Sequence, residues 1–93
     1  MLEKKKYANG QDVYTYYENK LTYYYKNGKL KAEGPFENEQ MNGEWKFFRE
    51  NGQLWQIGNL HNHKKHGVWI RFNKDNQQEY KEVFKEGKLI KSK

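Results

Sequence analysis

The sequence predicts an all-β chain assembled from repeated β-hairpins, and three observations carry that prediction. Most of the stretch from Tyr24 to Trp45, YYKNGKLKAEGPFENEQMNGEW, is written again 24 residues later from Phe48 to Trp69, FRENGQLWQIGNLHNHKKHGVW. Asn-Gly pairs at Asn27-Gly28 and Asn51-Gly52 interrupt strand-like runs. Aromatic residues make up 17% of the chain although its apolar share is only 34%, a balance that favours strands over helices or disorder.

The recurring pairs are Tyr24 and Phe48, Asn27 and Asn51, Gly28 and Gly52, Leu30 and Leu54, Gly34 and Gly58, Phe36 and Leu60, Gly43 and Gly67, and Trp45 and Trp69. Charged residues drift between the copies. A fixed period of this size marks one supersecondary unit stacked on copies of itself, each unable to bury its apolar face alone.

Taken in order, residues 1–22 read as a degenerate N-terminal capping repeat, in which Tyr7-Ala8-Asn9-Gly10 echoes Tyr25-Lys26-Asn27-Gly28. Repeats at 23–46 and 47–70 follow, and 71–93 form an eroded C-terminal cap, with Asp75, Asn76 and Gln78 at the positions of Asn51, Gly52 and Leu54. Strands are expected near Leu21–Tyr25, Lys29–Gly34, Glu44–Arg49, Gln53–Leu60, Val68–Asn73, Gln77–Phe84 and Lys88–Ile90. The Asn-Gly pairs predict type I′ hairpin turns, which need positive φ at both central residues. Longer connections are expected from Glu37 to Gly43 and from His61 to Gly67. Alternation places Trp45, Phe47, Trp69 and Arg71 on one parity, while Phe48, Trp55, Ile57 and Phe72 fall on the other. In a single layer some of these stay exposed, a hint of a binding surface.

Composition narrows the chemistry. Ninety-three residues make one domain without a large enclosed cavity. The absence of cysteine removes disulfides, thiolate catalysis and zinc–thiolate sites. No apolar run approaches a membrane span, so a soluble, cytoplasmic chain is expected, secretion staying open if a signal sequence was trimmed. The net charge of +6 comes from 16 Lys and only 2 Arg. Such charge attracts nucleic acid, anionic lipid or acidic protein, but solubility is the favoured reading.

His61, His63 and His66 form the one ligand-like cluster, yet Lys64 and Lys65 inside it repel a cation, so it reads as a solvated turn without metal. Ser92 is the only serine, and Thr15 and Thr22 have no histidine nearby in sequence. Glu37 and Glu39 lack the water-poor pocket that acid–base work requires. The reading is therefore non-enzymatic, with no cofactor. Trp45 and Trp69 hold the strongest repeat position and read as stacking core. Trp55 stands where the first copy has Lys31, and a tryptophan that the repeat does not demand is a candidate binding residue, with packing on Phe48 or Phe72 the equal alternative. Tyr14, Tyr16, Tyr17, Tyr23, Tyr24 and Tyr25 crowd the first third beside Lys20, Lys26 and Lys29. Strand alternation makes some of these rings core and leaves others available.

With these residues in view the chain resembles the MORN-repeat variant family, in particular small bacterial proteins of antitoxin type. The resemblance rests on Tyr24, Asn27, Gly28, Leu30, Gly34, Phe36, Asn38, Gly43 and Trp45, and again on Phe48, Asn51, Gly52, Leu54, Gly58, Leu60, Asn62, Gly67 and Trp69. It covers about residues 14–91 and departs at Glu39 and His63, where the family usually has glycine. It implies a single-layer, twisted antiparallel meander of hairpins serving as an interaction platform. It also implies toxin neutralisation for the bacterial branch and acidic-phospholipid binding for parts of the wider family. No catalytic residue carries over.

The expected function is a non-catalytic protein-binding module, an inhibitor or antitoxin-like protein that covers an acidic partner surface such as a toxin or nuclease. Its candidate contacts are Trp55, Tyr24, Phe48, Phe72, Tyr17, His61, His63, Lys64 and Lys65. Its scaffold residues are Gly28, Gly34, Gly43, Trp45, Gly52, Gly58, Gly67 and Trp69. The alternative is a binder of anionic lipid or nucleic acid through Lys4, Lys5, Lys6, Lys26, Lys29, Lys64 and Lys65. The sequence leaves the partner, the binding face and the oligomeric state open.

Overall fold

Alternating aromatic and polar residues separated by turn formers build one sheet. The computed structural model describes residues 6–92, so Lys4 and Lys5 of the anion-binding alternative lie outside the described residues. Among the described residues the strands are β1 Tyr14–Tyr17, β2 Lys20–Tyr24, β3 Leu30–Glu37, β4 Gln40–Met41, β5 Gly43–Phe48, β6 Leu54–His61, β7 Lys64–Phe72, β8 Gln78–Lys85 and β9 Lys88–Ser92, with no helix. They pair antiparallel in the order β1-β2-β3-β5-β6-β7-β8-β9, and the two-residue β4 extends the pairing of β3. The expected all-β antiparallel meander of hairpins is what the chain forms, an open sheet that does not close.

The seven expected strands fall on β2, β3 and β5 to β9, while β1 and β4 were not foreseen. Strand β1 pairs with β2 from Tyr14↔Tyr23 to Tyr17↔Lys20 around the glycine-free turn Glu18-Asn19.

The turns correct the reading of the Asn-Gly pairs. At Lys26-Asn27-Gly28 the amide of Gly28 donates to the Tyr25 carbonyl at 2.9 Å and that of Tyr25 to Lys29 at 2.8 Å, but only glycine has positive φ, at 88°. This is a type I turn followed by a left-handed glycine, and Arg49–Gln53 repeats it. The cause is local: Asn27 Oδ1 accepts the Lys29 amide and Asn51 Oδ1 the Gln53 amide, both at 2.9 Å, which ties the asparagine to the backbone beyond the glycine. Tyr7–Gln11 and Asn73–Gln77 close in the same way, with Asn76 taking the left-handed position at φ 63°.

The primed turns lie at the other end of the strands. Glu18-Asn19, Asn38-Glu39, Asn62-His63 and Glu86-Gly87 each have positive φ at both residues. The long connections expected at 37–43 and 61–67 therefore contract to two residues, because a primed turn matches the right-handed twist of its strands. Gly67 then lies inside β7, where the register passes from Gly58↔Trp69 to Asn59↔His66 and leaves Gly67 and Val68 as extra residues. It marks a bulge and not the end of a loop.

One face carries the core. Leu21, Ala32, Phe36, Trp45, Leu60 and Trp69 are buried, and Phe47 stacks between the two tryptophans with ring centroids 6.2 Å from Trp45 and 5.6 Å from Trp69. Gly34 and Gly58 make room for the indoles, since a Cβ at either would overlap Trp45 or Trp69 respectively. Each indole Nε1 donates to a carbonyl on that strand, Trp45 to Pro35 at 2.9 Å and Trp69 to Asn59 at 2.8 Å. Leu21, one period before Trp45, is fully buried opposite Gly34.

Candidate functional site

Each repeated hairpin contains one residue too many. The register passes from Tyr23↔Ala32 to Tyr24↔Leu30, from Phe47↔Gln56 to Phe48↔Leu54 and from Arg71↔Tyr80 to Phe72↔Gln78, which leaves Lys31, Trp55 and Glu79 as bulged residues. A bulge re-aims its side chain and resets the alternation. Trp55 consequently leaves the face of Ile57 that simple parity assigned to it. Its ring centroid is 5.8 Å from the Arg71 guanidinium and 5.9 Å from that of Arg49, and Arg71 also lies 4.6 Å over Tyr80. Arg71, Gln56 and Phe47 form one row across the sheet, on the tryptophan-stacked face. Among the described residues no ring pair joins Trp55 to Phe48 or Phe72.

Beside Trp55 lies a groove of about 230 Å³ lined by Tyr23, Tyr25, Lys31, Phe47 and Phe48 among others. Small-molecule sites start near roughly 300 Å³, so this groove is sized for one side chain. Its wall is fixed by a device that recurs along the sheet, in which the first residue of three of the four type I turns reaches a carbonyl of the next hairpin. Tyr7 Oη donates to Tyr24 at 2.7 Å, Tyr25 Oη to Phe48 at 2.7 Å and Arg49 Nη2 to Phe72 at 2.9 Å. Burial raises the Tyr25 phenol above its ordinary 10.0, helped by Glu50 and Tyr7. Lys31 lies 5.6 Å from the Tyr25 ring centre.

The two arginines are held by aromatic contact more than by counter-charge. The Nε atoms of Arg49 and Arg71 are both buried without a hydrogen-bond partner, and no ion pair among the described residues includes either side chain. Arg49, Arg71 and Tyr25 were not among the candidates read from sequence. One signal was available: they are the only two arginines in a chain with 16 lysines.

The histidines occupy the opposite end of β6 from Trp55 and separate into two functions. His63 Nδ1 accepts the Met41 amide at 3.3 Å, so Nε2 bears the hydrogen that meets the Glu39 carbonyl at 2.8 Å. It latches one primed turn to the next. His61 Nδ1 lies 2.9 Å from Glu86 Oε2 and His66 Nδ1 3.7 Å from the same oxygen. The hydrogen bond from His61 holds the Glu86 carboxyl below its ordinary 4.5, with attraction from His61, His66 and Lys64 added. Among the described residues no group of three His, Asp or Glu side chains could hold a metal ion.

The other candidates are spread over the sheet. Tyr17 is 74% exposed on β1, four places from β6 in the strand order. Tyr24 Oη is 3.3 Å from Thr15 Oγ1, and Phe48 and Phe72 supply the carbonyls just described. Lys64 is exposed at the turn, whereas Lys65 lies 4.9 Å over Trp69 and 4.8 Å over Phe84. A larger concavity, about 490 Å³, follows Lys20, Glu33, Glu44 and Lys46 on the other face. It is shallow, and its charges compensate one another, Lys20 and Glu33 at 3.0 Å.

An open array of hairpin repeats with a patterned aromatic face and one bulge per unit defines the class, that of repeat proteins built from β-hairpins. The MORN repeat variant family matches the chain twice, at residues 17–38 and 41–62, windows one period apart. Repeats of this family are commonly protein- or membrane-binding modules and generally non-enzymatic. Comparison with curated proteins and with solved structures returned no match. Among the described residues no helix is long and apolar enough to cross a membrane.

Proposed function

We propose that this chain is a non-catalytic protein-binding module that covers a partner's functional surface, in the manner of an inhibitor or antitoxin, with repeats 23–46 and 47–70 framing the contact. The observation that supports it is the bulged Trp55, turned onto the aromatic face and flanked by Arg49 and Arg71 beside a groove of one side chain's size. Tryptophan, tyrosine and arginine dominate the energetics of protein interfaces, and a half-buried cluster of them is an anchor. The lysine alternative has less support. Of its described lysines, Lys6 pairs with Asp12 at 2.6 Å and Lys65 lies over the Trp69 and Phe84 rings, while Lys26, Lys29 and Lys64 are exposed.

The test is a pull-down with the product of the neighbouring gene as prey. The wild-type chain retains it and Trp55→Ala releases it, while flotation with phosphatidylserine vesicles brings up neither. A chain that stays monomeric and indifferent to that product, yet floats with the vesicles at low salt, overturns the reading.

A further inference from the structure

We infer that Arg49, Trp55 and Arg71 form a carboxylate site, and that the adjoining groove takes the apolar side chain next to that carboxylate in an acidic segment of the partner protein. The inference rests on the protein-binding reading and names the chemistry of what is bound. Four observations meet here. Both arginines of the chain lie within 6 Å of one indole, so two like charges share a small site. No carboxylate among the described residues pairs with either. The Arg71 side chain has no hydrogen-bond partner among the described residues, and of the Arg49 guanidinium only Nη2 is engaged, with a backbone carbonyl. Lys31 on the equivalent bulge adds a third cation at the groove.

Two uncompensated guanidiniums in a partly desolvated, aromatic setting repel each other and attract an anion. The planar fork of arginine matches a carboxylate, which explains why arginine stands here in a chain that otherwise uses lysine. A bound carboxylate would add charge-assisted hydrogen bonds, and the apolar groove beside it specifies what flanks the acid. Charge complementarity therefore points to an acidic segment with an aromatic or aliphatic neighbour. A nucleic-acid strand fits less well, because a stacking base would compete with two guanidiniums already over the Trp55 ring.

The test is an NMR titration of the intact chain with 3-phenylpropionate, which joins a ring to a carboxylate, and with 3-phenylpropionamide, its uncharged counterpart. At millimolar concentration the acid is expected to shift the Nε resonances of Arg49 and Arg71 and the Nε1 resonance of Trp55, and the amide to leave them in place. Arg71→Lys keeps the charge and loses the fork, and weakens the acid's binding about tenfold or more. Equal response to acid and amide overturns the inference, as does a thymidine oligonucleotide that shifts these resonances when the acid does not. If the neighbour's product is captured while acid and amide behave alike, the carboxylate site falls and the protein-binding reading survives. If the acid binds selectively while that product is ignored, the site stands and the reading falls.

Discussion

The indole of Trp69 occupies the space that a side chain at Gly58 would need, and its Nε1 donates to the carbonyl of Asn59, the residue that follows the glycine. Trp45 stands in the same relation to Gly34 and Pro35. Gly58→Ala and Gly34→Ala must therefore displace a buried ring, and each is expected to cost about 1–3 kcal/mol in urea unfolding. Wild-type stability for either variant would show that the ring is not seated there.

Trp45 is fully buried and Trp55 is not. Trp45→Ala should cost about 3–5 kcal/mol of folding free energy. Trp55→Ala should lose markedly less stability and most of the partner binding. Equal destabilisation of the two variants would remove the distinction between scaffold and contact.

Gly52 has positive φ and open space where a side chain would go, and Asn76 holds the corresponding turn position one period later. Asparagine tolerates that conformation better than alanine does. Gly52→Ala should cost about 1 kcal/mol and Gly52→Asn less, as measured by their denaturation midpoints.

Tyr25 links pH to the groove wall. Its phenol is raised in the folded state, so ionisation is resisted there, and the associated stability is complete below the unfolded value of 10.0 and disappears as pH rises through the folded value. Tyr25→Phe removes the bond to Phe48, costs about 0.5–1.5 kcal/mol at neutral pH, and should flatten the alkaline limb of the stability curve. A limb unchanged in the variant would count against this role.

Glu86 acts at the acid end. Its folded carboxyl is held below 4.5 by His61, so its contribution is present above the unfolded value and is lost as pH falls through the folded one. Glu86→Gln should make stability less sensitive to acid as pH falls below the ordinary carboxyl value of 4.5, as seen in urea midpoints. Because the group is exposed, the effect should also shrink with added salt.

The scaffold was legible because the period preserves the residues that geometry constrains: glycines under indoles, tryptophans over them and left-handed turn positions. The turn types were not, because Asn27-Gly28 has two solutions and the Asn27 side chain selects between them through the Lys29 amide. Strand β1 escaped notice because Glu18-Asn19 makes a primed turn without glycine. The face of Trp55 was hidden by a one-residue bulge that strict alternation cannot register. Arg49 and Arg71 stand 22 residues apart in sequence, and it takes the β5–β6 hairpin together with the pairing of β6 with β7 to bring both to that ring.

Apart from the short β4, every strand on the main path pairs only with the strands beside it in the chain. The sheet can therefore close like a zipper, each hairpin templating the next without a distant segment having to arrive first, which places it among the faster-folding β architectures. It also makes the molecule modular in length: inserting or removing one 24-residue unit changes how far the aromatic face extends while leaving both ends as they are.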